Sequence, residues 1–427
     1  MQARSITRIV AVGAVAALAM AGCAKADDPG AGGGAGGSKD VIISTDLPLQ
    51  GAQASTSDST NKLIQLYLDQ VGSKAGEYSV TLKPYDDSTA AKGAWDDAAC
   101  AKNATDHVAN EKEVAVMGTF NSGCAKTEVP TLNQDSTGPM LMVSHANTNP
   151  GLTKTWETGE PDKYYPSGTR NYARVITTDD YQGAGSAAFA AKDLKVKKVF
   201  VLNDNQTYGL GVAKAFADSA KKEGIEVVGE QSWDAKQPNY TALFQAVKAS
   251  DADMVYLGGI IDNNGGQLVK DKVAVVGDND KVKLFAPDGF EGNADLLKLP
   301  QAEGMYITLG GLGYDELAKQ GGAGVKLLDA YKEKYGEAPN GSYPLYGVAA
   351  TQVILAGIAK SDGTRKGVVE AVVGDKAGEG IVIPAEQSVL GKEIKIDPAT
   401  GDTSARDLTV FLVKGGKETF AKSQTVV

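Results

Sequence analysis

Histidine and cysteine are almost missing from this chain of 427 residues: His107 and His145 are its two histidines, and Cys23, Cys100 and Cys124 its three cysteines. A zinc site of the histidine and cysteine kind has almost no material to draw on, so no metal is expected. Two histidines leave little room for a serine triad, and no GxSxG elbow occurs. No phosphate-binding GxxxxGK motif followed by Ser or Thr is found, and Gly209-Leu210-Gly211 lacks the third glycine of a dinucleotide fingerprint because Lys214 stands in its place. Paired acids such as Asp86-Asp87, Asp96-Asp97 and Asp179-Asp180 read most simply as solvated charges of loops and helix ends. Neither an enzyme nor a cofactor is expected. Basic stretches are also lacking: beyond residue 22 the chain has 41 Lys and Arg against 53 Asp and Glu, a net charge of 12 negative. Nothing there could neutralise a run of phosphates, which argues against a nucleic-acid partner.

Long hydrophobic runs are missing too. The apolar stretch from Ile9 to Met20 has twelve residues, short of the about 20 that a membrane-crossing helix needs. Preceded by Arg4 and Arg8, it reads as the core of a secretory signal over residues 1–22. The pair Ala21-Gly22 before Cys23 resembles a bacterial lipobox, although Met20 stands where leucine is usual. Cys23 is therefore the expected lipidation site, anchoring the mature chain to the outer face of the cell membrane, with an ordinary secreted protein as the alternative. The Gly- and Ala-rich tract of residues 23–38 then reads as a flexible tether with a reach of about 20 Å. Lipidating Cys23 leaves Cys100 and Cys124 as an even pair in an oxidising compartment. A bond between them would close a loop of about 25 residues and stabilise the fold on the order of 3 kcal/mol; two separate buried thiols are the alternative.

From Val41 onward, short β-branched runs alternate with helical patterns. Strands are predicted at Val41–Leu47, Val80–Asp86, Val114–Phe120 and Pro139–His145, with helices at Lys62–Val71, Gly93–Asn110 and Lys126–Gln134 between them. After Tyr172–Thr178 the alternation starts again, with strands at Lys198–Asp204, Ile225–Trp233, Asp253–Gly259, Lys283–Gly289 and Met305–Gly311 and helices between. Two rounds of this kind imply an α/β protein of two doubly wound, Rossmann-like lobes. Helices at Val325–Tyr335 and Tyr343–Ala359 follow, and then strands at Lys392–Ile396 and Asp407–Val413.

The stretches YDDSTAA (Tyr85 to Ala91), VMGTFNSGC (Val116 to Cys124), SHANTNPGLT (Ser144 to Thr153), NDNQTYGLGVA (Asn203 to Ala213), YLGGI (Tyr256 to Ile260) and APDGFEGNADLL (Ala286 to Leu297) stand in a recognisable order. In order and spacing they resemble the branched-chain amino acid binding proteins of ABC importers, which have the type I periplasmic binding fold. The resemblance spans residues 39–427. It implies a hinge of three chain crossings, near Val175–Thr178, Ile307–Gly310 and Leu390–Lys392. Lobe 1 would comprise residues 39–175 and 312–390, and lobe 2 residues 176–311 and 391–427. It also implies a disulfide between Cys100 and Cys124.

Ligands of open α/β sheets bind beyond the carboxyl ends of strands, where helix amino ends present free amides. Ser122, Ala146, Thr148, Tyr208 and Asp288 all follow strands at that edge, in segments that carry the resemblance. An amino-acid zwitterion needs donors around its carboxylate and acceptors around its ammonium. Ser122 and Thr148 suit the first, and Asp288 with the Ala146 carbonyl the second. Plainer roles exist for each: a helix cap at Ser122-Gly123, turns at Thr148-Asn149 and Asp288-Gly289, and packing for Tyr208. Three segments depart from the family pattern. Ile260 and Ile261, and Ser55 or Thr56, stand where aromatics are common, and Gly159–Arg170 looks like an insertion able to overhang the cleft. The resemblance thus implies a monomeric, lipid-anchored receptor that captures a small amino acid, a branched-chain one first, and hands it to an ABC permease and its ATPase. A binder of amides, urea or small aromatic acids, and a ligand-sensing receptor domain, are the alternatives.

Overall fold

The computed structural model describes residues 39–374 and 376–426. The expected signal segment, the tether and Cys23 lie outside them. The first half of the chain supplies strands β1 (Asp40–Leu47), β2 (Lys74–Ala75), β3 (Tyr78–Asp86), β4 (Ser88–Thr89), β5 (Ala94–Trp95), β6 (Glu113–Gly118), β7 (Leu141–Ser144) and β8 (Tyr172–Arg174). Its helices are α1 (Ala54–Gln70), α2 (Asp97–Ala109) and α3 (Ser122–Asn133). Six strands form one sheet in the order β2, β3, β1, β6, β7, β8, parallel except for the short β2. Side chains of β6 alternate between two cores: Ala115 and Met117 pack on one face, while Val116 joins Ala125, Val129 and Leu132 of α3 on the other. That two-sided burial is why its sequence, EVAVMG, is a nearly continuous apolar run.

The second half begins with α4 (Asp179–Lys192), β9 (Lys198–Asn203), α5 (Thr207–Lys222), β10 (Glu226–Ser232), α6 (Thr241–Ala249), β11 (Met254–Gly258), α7 (Gly265–Val276), β12 (Lys283–Ala286), α8 (Ala294–Leu297) and β13 (Tyr306–Leu309). It continues with α9 (Tyr314–Gln320), α10 (Ala323–Tyr335), α11 (Tyr343–Ala359), α12 (Arg365–Val372), β14 (Val382–Ile383), β15 (Ile394–Lys395), β16 (Asp407–Lys414) and β17 (Lys417–Thr425). The second sheet runs β10, β9, β11, β12, β13, β16, β17, with the last two strands antiparallel. Here α6 and α7 cover one face and α4 and α5 the other. Helices α10 to α12 return to the first sheet, where α11 is buried along almost its whole length against α1. Gly347 makes that contact possible, since a Cβ there would stand 2.5 Å from Thr60 Cγ2.

The backbone passes between the sheets at residues 175–178 and 310–312, and Thr177 joins these two passages by donating its N–H to the Gly310 carbonyl at 3.0 Å. The third expected crossing, at Leu390–Lys392, is displaced. Val382 and Ile383 pair with Lys395 and Ile394, and Ile394 and Ile396 are buried in the first core. Residues 391–402 therefore stay with the first sheet, and the chain changes over at 403–407. There the Thr177 hydroxyl donates to the carbonyls of Ala405, at 3.3 Å, and Asp407, at 3.1 Å. Two further expectations shift. Helix α1 starts at Ala54 rather than Lys62, because Ser59 accepts a hydrogen bond from the Asn340 N–H at 3.2 Å and the polar STSDST segment packs inward. β17, with the polar sequence KETFAKSQT, forms the edge of the second sheet.

Arg174, at the end of β8, is fully buried. Its Nε bonds Asp402 at 2.8 Å, its Nη1 reaches the carbonyls of Asn147 and Asn149, each at 2.8 Å, and its Nη2 reaches Thr153 Oγ1 at 2.5 Å. One side chain thus fastens the loop after β7 to the start of the third crossing. Arg174→Met leaves these acceptors buried without a donor. It is expected to lower stability by roughly 3 to 5 kcal/mol, read as a lower midpoint in urea denaturation.

Candidate ligand-binding cleft

The carboxyl ends of β6 and β7 face those of β9 and β12 across the gap between the two sheets. At its centre is a cavity of about 20 Å³, lined from the first lobe by Gln53, Phe120, Asn121, Ser122, Ala146 and Tyr343, and from the second by Tyr208, Ile260, Asp288 and Gly289. That volume is water-sized. Ser122, Ala146, Tyr208 and Asp288 are thus brought together. Thr148 is not: it is buried behind the lining with its hydroxyl unpartnered, and its carbonyl accepts the Asp179 N–H at 2.8 Å.

The two walls differ in electrical character. Ser122 is the first residue of α3, and Asn121 makes no side-chain cap, which leaves the helix amino end and its partial positive charge to the cavity. Opposite stands Asp288, 3% exposed. It accepts the hydroxyls of Tyr208 and Tyr343, and Gln182 Nε2 at 3.0 Å. Gln182 is itself oriented by the Thr308 hydroxyl, which donates to its Oε1 at 2.8 Å. All of these donors are neutral. Asp179, Glu291 and Asp262 surround the same interface, and among the described residues no lysine or arginine forms a salt bridge with any of the four. Burial pushes the Asp288 and Asp179 carboxyls upward, and carries Glu291 and Asp262 to about 7. Oxygens of Asp179, Glu291 and Asp262 are buried with no partner.

Beside Asp288 the lining is apolar and aromatic. Phe120 packs on Tyr343 with ring centroids 5.0 Å apart, and on His145 at 5.2 Å. His145 is wholly buried with neither ring nitrogen bonded, and burial lowers its pKa to about 3, so the ring is neutral. Ile260 closes the second wall.

Hydrogen bonds span the lobes around the cavity. Asp262 Oδ1 accepts the N–H of Ala52 at 2.9 Å and of Gln53 at 3.3 Å, Asn293 Nδ2 donates to the Ala52 carbonyl at 3.0 Å, and Glu291 Oε1 accepts the Ser342 N–H at 2.9 Å. The expected insertion folds back onto α3 through Lys126 and Glu160, 2.7 Å apart, and with α5 borders a groove at the cleft's side. Sequence reasoning missed Gln53, Gln182 and Tyr343. Tyr343 opens a predicted helix, and nothing local to that helix points across the gap. In the first loop Ser55 and Thr56, which stand where aromatics are common, accept hydrogen bonds from Asn340 Nδ2 at 2.9 and 3.0 Å.

Residues 46–416 match the family described as periplasmic binding protein. The chain belongs to that family. It is 27% identical over 296 residues to a Leu/Ile/Val/Thr-binding protein of Salmonella typhimurium, covering 68% of this chain and 71% of the relative. A leucine-, isoleucine-, valine-, threonine- and alanine-binding protein of Pseudomonas aeruginosa is 25% identical over 318 residues, covering 74% and 76%. Among solved structures, a leucine binding protein of Thermotoga maritima superposes with a TM-score of 0.71 at 22% identity, covering 90% of this chain and 98% of that one. A solute binding protein of R. palustris in complex with benzoate gives 0.71 at 17% identity, covering 92% and 98%. The disulfide that the resemblance implied is present, joining Cys100 of α2 to Cys124 of α3.

The carboxyls give the interface a pH dependence of defined sign. Exposed in an open cleft, Asp262 and Glu291 have pKa values of about 4, whereas in the closed cleft both stand at about 7. Closing without ligand therefore takes up protons, so it is favoured at low pH and weakens as pH rises towards about 7. Small-angle scattering of the unliganded protein is expected to show a larger radius of gyration at about pH 8 than at about pH 5, and Asp262→Asn should flatten the change.

Proposed function

We propose that this chain is an extracytoplasmic receptor that captures a small α-amino acid between its lobes and delivers it to an ABC permease with its ATPase. The observation that carries this reading is the pairing across one cavity of the α3 amino end at Ser122 with the cation-free carboxylate of Asp288. A zwitterion matches both poles, its carboxylate on the helix end and its ammonium against Asp288 and the surrounding acids. Phe120, Ile260, Tyr343 and the neutral His145 leave an apolar environment for the side chain, which favours a branched aliphatic one, in keeping with the names of the curated relatives. Because the closed cavity has only the volume of a water molecule, entry requires the lobes to part about the crossings joined by Thr177. The ligand then shifts the open and closed populations by its differential affinity for them.

The apolar segment and the Ala21-Gly22 pair before Cys23 support a lipid on that cysteine, and the proposed receptor is a monomer held at the membrane by it. The aromatic-acid reading has a structural neighbour in its favour, the benzoate complex. It sets a second carboxylate near Asp288 with no ammonium to offset it, and so ranks below the zwitterion.

Calorimetry with leucine, isoleucine, valine and their des-amino analogues tests this reading. Leucine is expected to bind at least about 100-fold more tightly than 4-methylpentanoate, as for a buried charge pair worth about 3 kcal/mol, and Asp288→Asn should erase most of that preference. Leucine binding should also release protons at about pH 6, where an arriving ammonium displaces them from raised carboxyls. Equal affinity for the two ligand sets would sink the ammonium role of Asp288.

A further inference from the structure

The first lobe holds a second polar cluster, remote in role from the cleft, on the side of its sheet covered by α2 and α3. Asp46 at the end of β1, Asp87 just after β3, His107 in α2, Glu113 at the start of β6 and Glu128 in α3 all have no exposed surface. Donor atoms of Asp46, His107 and Glu128 lie within 4.8 Å of one another. Both oxygens of Asp87 and Oε2 of Glu128 are buried with no hydrogen-bond partner. Among the described residues, the one salt-bridge partner of these four carboxyls is the His107 ring itself. Arg365 passes nearby but spends its guanidinium on the carbonyls of Val108, His107, Asn110 and Glu113 and on Asp135.

The histidine is held as a metal ligand is held. Its Nδ1 bonds the Glu113 carboxylate, with Ser44 Oγ at 3.2 Å, and Glu113 is fixed in turn by the Ser44 hydroxyl, Asn110 Nδ2 at 3.1 Å and the Tyr85 hydroxyl at 3.3 Å. A carboxylate on one ring nitrogen sets the tautomer and turns the other nitrogen's lone pair towards a cation. That other nitrogen, Nε2, is hydrogen-bonded to Asp46 Oδ2 at 3.1 Å; an ion would replace the proton of that bond, and the separation is close to the about 3.0 to 3.4 Å between two ligands each about 2.0 to 2.1 Å from one ion. Asn103 Nδ2 holds the second Asp46 oxygen at 3.0 Å, which leaves Oδ2 for the shared site. Cys100 and Cys124 lie beside Asp87 but are joined to each other and offer no thiolate.

We infer that Asp46, His107 and Glu128, with Asp87 beside them, form a binding site for a divalent first-row metal ion, zinc or manganese. One imidazole among carboxylates suits these ions, and a charge of two offsets acids that no lysine or arginine reaches. The ion would pin β1, α2 and α3 together from within. The inference does not rest on the ligand reading of the cleft, and it departs from the sequence expectation of no metal.

The test is to refold the untagged chain with zinc or manganese, or with chelator, and to measure retained metal after dialysis together with the Tm. Wild type is expected to keep about one ion per chain and to melt several degrees higher than the chelated protein. Glu128→Gln and His107→Gln should retain none and lose the response. Should those variants not fold, Asp87→Asn, at the edge of the site, is expected to weaken retention while remaining folded. Wild type that keeps no ion and melts identically in zinc, manganese and chelator overturns the proposal, as does undiminished retention in Glu128→Gln.

Discussion

The lobe interface is governed by carboxyl groups taken out of water with no cation to meet them. A buried anion is costly, and here Asp288 is supported only by two phenols and an amide, while Asp179 and Glu291 keep an oxygen with no partner at all. Such an interface closes fully in two ways: by taking up protons, or by admitting a positive group. The first is available to any acidic solution and carries no information. On the proposed reading the second is selective, because the positive group would arrive with an apolar body to meet Phe120, Ile260 and Tyr343 as the lobes part, and with an anion for the end of α3. Discrimination therefore comes from what the closed state lacks rather than from the number of contacts it makes.

The three crossings between the sheets meet at one residue. Thr177 touches both other crossings, through its backbone to Gly310 and through its hydroxyl to Ala405 and Asp407. The largest apolar core is built on β1, β6, β7 and α11 and reaches Leu309 and Phe411 of the second sheet. Two others lie on the faces of the sheet centred on β11, and a small one joins Trp95, Cys100 and Cys124 to Tyr208, Val212 and Ile260 across the lobes. Parting the lobes would break the bonds of Asp262 and Asn293 to the first loop, the bond of Tyr343 to Asp288, and the packing of Trp95 with Tyr208, Val212 and Ile260.

Much of this was legible in the sequence for a simple reason: strands buried on both faces must be apolar along their length, and helices between them must not be. Elements of that kind, such as β6, β9 and β11, stood out. Polar segments packed inside did not, because their partners are distant in the chain; the STSDST turns of α1 are satisfied by Asn340, and β17 by its neighbour β16. The site divides in the same way. Ser122, Ala146, Tyr208 and Asp288 follow strands, so topology puts them at the right edge. Gln182 and Tyr343 reach Asp288 from helices whose sequences read as ordinary packing, and Thr148, which does follow a strand, turns away to meet Asp179. The third crossing is hard to place from sequence because Ile394 and Ile396 look the same whichever core they enter.

The first wall of the cleft is braced covalently where it meets the cavity. Cys124, two residues beyond Ser122, is bonded to Cys100, so α3 is tied to α2 within its first turn. Gly123 lies flat against Trp95, where a Cβ would stand 2.4 Å from the ring. The helix end at Ser122 is thus fixed before any ligand arrives, and an anion meeting it orders little. Asp288, by contrast, takes one of its three side-chain donors, Tyr343, from the opposite lobe. On the proposed reading, the carboxylate of a zwitterion would meet the braced end of α3, and its ammonium would meet the carboxyl whose donors come from both lobes.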